Sequence, residues 1–354
     1  MRTVTIGHAV VPWTYADDER EYHALRHEAA IFELDSTGLI ALPATGSAQA
    51  LLRTLVPSDL KAVFPGQSAT SLLLDAEGHP LDTITVYRLR ERWLIETAFG
   101  RGPDTLTHLT AAAAAVEGAD GIEPVDVRPE FTTFGLEGPH AWRVLRALFG
   151  DGVTSVPLGG IVHRTWRDAP VLIARSGYTG EYGYKVFVPP SLAAELFDAA
   201  VERSAVPAGY RTLEAAMIEV RQPLPHREVG PEDTVSGCGY NWLADLDQPD
   251  FVGRDAVLAE FKTGPAVRTV GLTMPRGAEP PEHAEVSVAG LTIGHLVHHT
   301  DSPGLGRTLA LARVSAEWAA SGFDWEVAGT HGPIPARSVS SPYLVPLSWS
   351  TSIA

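Results

Sequence analysis

Residues 71–99, SLLLDAEGHPLDTITVYRLRERWLIETAF, constrain the fold more than any other stretch. They read as strand, turn, strand, turn, strand, with AEGHP as the first turn. Alternation through Thr83, Thr85 and Tyr87 marks the middle strand as half-buried. Strands this close along the chain pair as antiparallel hairpins, because a parallel pair needs a crossover of about a dozen residues. Helical periodicity surrounds this unit and predicts helices over 16–32, 47–56 (opened by Ser47), 103–117, 191–204 and 210–222. Residues 131–150 read as a strand, a Gly-Pro turn and a helix. Helices and hairpin-joined strands in one chain give an α+β class. From about residue 266 the text changes to short strands with turn punctuation (RTVGLTMP, AEVSVAG, LTIGHLVHHT, TLALARV). A boundary near 262–267 and a small C-terminal β-barrel or sandwich are expected.

The formal net charge of -16 argues against nucleic acid or an anionic membrane as partner and favours a small-molecule substrate. No apolar run reaches the roughly 18 residues of a membrane span, and the first residues, MRTVTIGHAVVPW, do not read as a signal peptide. A cytoplasmic protein is expected. Cys238 is the only cysteine, which excludes an intrachain disulfide, and the histidines show no metal-ligand spacing, so no metal is expected.

Four stretches carry a resemblance. They are LEGPHAWRVL (136–145), GYTGEYGYKVFV (177–188), NWLADLDQPDFVGRDAVL (241–258) and IGHLVHHTDSPGLGRTLALARV (293–314). In order and spacing they resemble the signature stretches of the folate-binding aminomethyltransferases, the glycine cleavage T-protein and its relatives, from about residue 22 to 320. The resemblance implies a three-subdomain cloverleaf around a central hole that holds the pterin of tetrahydrofolate. On this division residues 1–262 form a body of two interleaved subdomains and residues 263–354 a β-barrel. It also implies a tetrahydrofolate-dependent one-carbon transferase, moving a methyl or aminomethyl group to or from a small molecule.

Residue by residue, the family pattern is partly replaced. The family's Asp-Asp before the middle strand is Asp82-Thr83 here, so the aspartate near the reactive folate nitrogen becomes a hydroxyl. The glutamate that closes the family's loop and holds the pterin's N–H edge corresponds to Lys185, a donor-only cation in place of an acceptor-only anion. Lining the hole, Lys185 is expected to meet an anion, a carbonyl or an enolate. Two family arginines become Leu213 and Met217, while Glu219 is kept; Arg211 and Arg221 lie at different helical angles. The family's S-H-M-G is Asp35-Ser36-Thr37-Gly38, and a family tyrosine aligns with Thr70. His298 and His299 replace a Ser-Gly that faces the hole, with His226 a further acid/base candidate. The expected catalytic set is thus Asp82, Thr83, Lys185 and His299. The expected cofactor contacts are Tyr87, Thr97, Tyr178, Glu219, Tyr240 and Trp242. The alternative is a folate-independent enzyme on the same scaffold, doing acid/base chemistry such as cyclisation, elimination or isomerisation in a specialised biosynthetic pathway.

Overall fold

A computed structural model describes every residue except His8, Asp120 and Ala354. The meander read from residues 71–99 is present as strands Gln67–Leu74, Pro80–Arg88 and Arg92–Phe99. With Thr37–Pro43 and Val125–Asp126 they make a five-stranded sheet. Helices Gly46–Leu55 and Gly102–Ala115 cover one face, where Leu51, Leu52 and Leu109 pack on Ile40, Ile84, Val86 and Ile95. The first of these helices is capped by the Thr45 side chain, which accepts from the Ala48 amide, one residue pair earlier than Ser47 would place it.

A second sheet orders the strands Ile161–Trp166, Ala169–Ala174, Gly183–Val188, Thr132–Glu137, Ala30–Glu33 and Val206–Pro207. Helices Ala141–Phe149 and Pro190–Glu202 cover it. The helix expected over 16–32 stops at His27, and residues 30–33 instead form a strand of this sheet. The gain is tertiary: Ala30–Glu33 pairs with Thr132–Glu137 and is buried at Ala30, Ile31 and Phe32, which outweighs local helical periodicity. Six strands between Val267 and Val339 close into a barrel. Its last two, Asp324–Val327 and Ile334–Val339, together with the hairpin Arg2–Ile6/Ala9–Thr14 and helix Arg254–Thr263, are absent from the sequence reading. Among the described residues no helix is long and apolar enough to cross a membrane.

The uncovered face of the five-stranded sheet turns toward the second sheet. Tyr87, Leu94 and Leu39 from the first pack with Leu172, Ala174 and Phe187 from the second. That seam is where the polar residues of interest meet.

Candidate active site

The loop between Ala174 and Gly183 is built around one buried carboxylate. Glu137, at the end of its strand, accepts the amides of Tyr178 and Thr179 at 3.0 Å each and the Thr179 hydroxyl at 2.6 Å. Burial pushes the Glu137 carboxyl upward, opposed by these donors. Glycine is required at the loop's two ends: a Cβ on Gly177 would lie 2.8 Å from the Gly183 Cα and 2.9 Å from Glu137 Oε2. The result is a tight turn that presents Tyr178 over the following strand.

Lys185, on that strand, is only 1% exposed and does not stand free. Its Nζ lies 2.5 Å from Glu96 Oε2 across the seam, donates to the Tyr178 hydroxyl at 2.8 Å, and sits 4.0 Å from the Tyr178 ring centroid. Tyr87 donates to Glu96 Oε2 at 2.5 Å and Tyr178 to Glu96 Oε1 at 3.1 Å. Burial, reinforced by the Glu96 charge, holds both phenols well above their ordinary pKa, so they act as neutral donors. The expectation of a lysine awaiting a substrate anion is corrected: the protein supplies the anion, because a desolvated ammonium needs a partner in the resting fold. Thr85 pairs with Glu96 across the strands, and its hydroxyl lies 3.4 Å from that of Thr70. By strand alternation Thr83, Thr85 and Tyr87 share this face.

Asp82 faces the other way and leaves the candidate catalytic set. It is 1% exposed under helix Gly102–Ala115, where Oδ1 accepts the Ala98 amide at 3.2 Å and Oδ2 the Thr105 hydroxyl at 2.7 Å. Burial pushes its carboxyl up to about 7, against those donors and Arg101. Between the usual carboxylate value near about 4 and that raised value, the native state holds a proton the unfolded chain has released, so stability falls as pH rises. Asp82→Asn removes this fall. Urea unfolding is expected to move in the variant's favour by about 4 kcal/mol between about pH 4 and pH 8. A difference that stays flat across that range refutes the assignment.

The other expected contacts scatter. Glu219 is fully buried but neutralised, with Arg26 at 2.6 Å and the Tyr22 and Ser302 hydroxyls at 2.7 and 2.5 Å. Thr97 accepts the Gly38 amide at 2.7 Å and donates to the Ala98 carbonyl, so it fixes backbone. Tyr240 is buried beneath Leu72 and Leu74 and donates to Glu228 at 2.8 Å; Trp242, two residues on, is 61% exposed. His299 lines a cavity with His226 and His298, and Phe99 contacts both the His226 ring at 6.3 Å and the Tyr178 ring at 5.2 Å. Cys238 is buried, and its thiol, pushed up to about 11 by burial, is unreactive. No cluster of possible metal ligands occurs among the described residues.

The sequence reading thus brought Lys185, Tyr87 and Tyr178 together and missed Glu96, Glu137 and Arg26. Glu96 carried a usable signal. A single carboxylate inside the apolar strand RWLIETAF, and a single lysine inside GYKVFV, each need an opposite charge when buried.

Comparison with known proteins agrees with this architecture. Residues 2–248 match the GCVT N-terminal domain, and residues 268–344 match the Glycine cleavage T-protein C-terminal barrel domain. The chain is 30% identical over 335 residues to an aminomethyltransferase of Synechococcus elongatus, covering 92% of this chain and 87% of that one. It is likewise 30% identical over 338 residues to an aminomethyltransferase of Streptomyces avermitilis, covering 91% and 89%. The crystal structure of glycine cleavage system aminomethyltransferase T from Bartonella henselae superposes with a TM-score of 0.87 over 98% of this chain and 94% of that one, at 21% identity. The chain belongs to the aminomethyltransferase family of the glycine cleavage T-protein type, a family of transferases.

Proposed function

We propose that the protein is a tetrahydrofolate-dependent one-carbon transferase acting on a small molecule, with the pterin held at the Glu96–Lys185 seam. The observation that carries this reading is the pairing itself. A pterin's edge offers two N–H donors beside a ring carbonyl, and so asks for an acceptor next to a donor. Glu96 is an acceptor-only carboxylate whose Oε1 takes one hydrogen bond, and Lys185 is a donor beside it. The residues present therefore fit the group, with the acceptor moved from the loop strand to the opposite sheet. Glu96 would hold the N–H edge and Lys185 the ring carbonyl. When bound, tetrahydrofolate supplies a ring nitrogen that accepts or releases the one-carbon unit.

The chain's own contribution is positioning and exclusion of water. The buried carboxylate fixes orientation, and the phenols of Tyr87 and Tyr178, held neutral by burial, donate to it. Thr83, Thr85 and Thr70 add hydroxyls on the same face, none of them acidic near neutral pH. Isothermal titration with tetrahydrofolate is expected to show saturable binding to the native protein. Glu96→Gln, which keeps one acceptor and loses the charge, is expected to weaken it about tenfold or more. Absence of binding at high micromolar ligand refutes the reading.

A further inference from the structure

The cavity that holds His299 is lined by none of Glu96, Lys185, Tyr87 and Tyr178. About 440 Å³ in volume, it is lined by Trp13, Glu214, His226, Arg227, His298 and His299, among others. These come from the N-terminal hairpin, helices Tyr210–Val220 and Pro225–Glu228, and barrel strand Leu291–Ser302. A second cavity of about 570 Å³ shares Arg227, His283 and Val297 with it.

Two of its buried ring nitrogens have no hydrogen-bond partner. Tyr210 is 5% exposed, and among the described residues its hydroxyl has one partner, His226 Nε2 at 2.8 Å. A buried phenol must donate, so Nε2 accepts and the ring proton sits on Nδ1. That Nδ1 is buried and has no hydrogen-bond partner; neither has His298 Nε2, which lies 3.7 Å from Glu214. Burial, with Arg227 nearby, pushes His226 down to about 3, which keeps the ring neutral. Glu214 is the one carboxylate deep in the wall, and it is spent on Arg227 Nε at 2.8 Å. Arg227's terminal nitrogens donate to nothing among the described residues, and its side chain is 37% exposed. Trp13 and Leu296 supply apolar wall beside these donors.

We propose that this cavity binds a small free carboxylic acid, its carboxylate held by the terminal nitrogens of Arg227 and by His226 Nδ1–H. Two orphaned ring nitrogens and an uncommitted guanidinium edge converging on one cavity call for an acceptor-rich group, and a carboxylate is the compact one that takes a guanidinium edge. The volume falls in the range of small-molecule sites. The assignment goes beyond the folate reading and does not depend on it.

Histidine ring ¹⁵N spectra of the full-length protein test it, with butyrate as the probe and sodium chloride at equal ionic strength as the control. Butyrate is expected to shift the His226 and His298 ring resonances saturably, and chloride to leave them in place. Arg227→Met is expected to weaken butyrate binding about tenfold or more, with Arg227→Lys between it and the native protein. Should Arg227→Met fail to fold, His226→Gln gives the same test through the other donor. Absence of saturable shifts overturns the proposal, as does equal response in the Arg227 and His226 variants. So does displacement by tetrahydrofolate but not by tetrahydropterin, which would assign the cavity to the cofactor's own carboxylate tail. Tetrahydrofolate titration of the same samples separates this result from the fate of the folate reading.

Discussion

Lys185→Met is expected to destabilise the protein by about 3–5 kcal/mol, the usual cost of stripping one partner from a buried ion pair. Glu96 would be left 2% exposed with two phenols as its only donors, its charge uncompensated between two sheets. Glu96→Gln alone should cost a similar amount, because it strands a fully buried ammonium. Lys185→Met with Glu96→Gln is expected to recover most of the loss, since the glutamine carbonyl still accepts from Tyr87 and Tyr178 while no net charge stays buried. Urea unfolding of the four proteins closes a double-mutant cycle. A single-variant loss below about 1 kcal/mol, or strictly additive losses, would show that the pair is solvated and not the seam described here.

How far this could be read from sequence depends on what kind of information each feature carries. The meander of residues 67–99 was legible because turn chemistry and alternation are local, and the structure reproduces all three strands. The helix expected over 16–32 ended early because Ala30–Glu33 gains more by pairing with a strand a hundred residues away than by extending the helix. The site divides in the same way. Lys185, Tyr87 and Tyr178 could be named because the resemblance puts those positions at the hole. Glu96 is 89 residues from Lys185 along the chain, and only the facing of two sheets brings them together. Asp82 shows the opposite case: alternation already placed it away from Thr83, and the structure gives it a helix to support. The seam carries one carboxylate, Glu96, on the strand facing Lys185.

Arg26→Met is the second variant expected to act strongly, with a loss of about 3–5 kcal/mol at neutral pH. Arg26 bridges two carboxylates that are both fully buried, Glu219 at 2.6 Å and Glu181 at 3.1 Å, and also donates to the Thr179 carbonyl at 2.8 Å. Those two residues hold the last stretch of the chain. Glu181 accepts the amides of Leu347 and Ser348 and the Ser348 hydroxyl, while the Glu219 carbonyl accepts the amides of Tyr343 and Leu344. Without the guanidinium, two desolvated carboxylates are left with no cation between them. Arg26→Lys should fall between Arg26→Met and the native protein, since one ammonium cannot span both carboxylates as the guanidinium fork does. Hydrogen exchange should show the Leu347 and Ser348 amides losing protection before the sheet amides do, because their acceptor is the one released. Tail amides that exchange no faster than in the native protein would detach Arg26 from this role and leave the tail held by its backbone contacts alone.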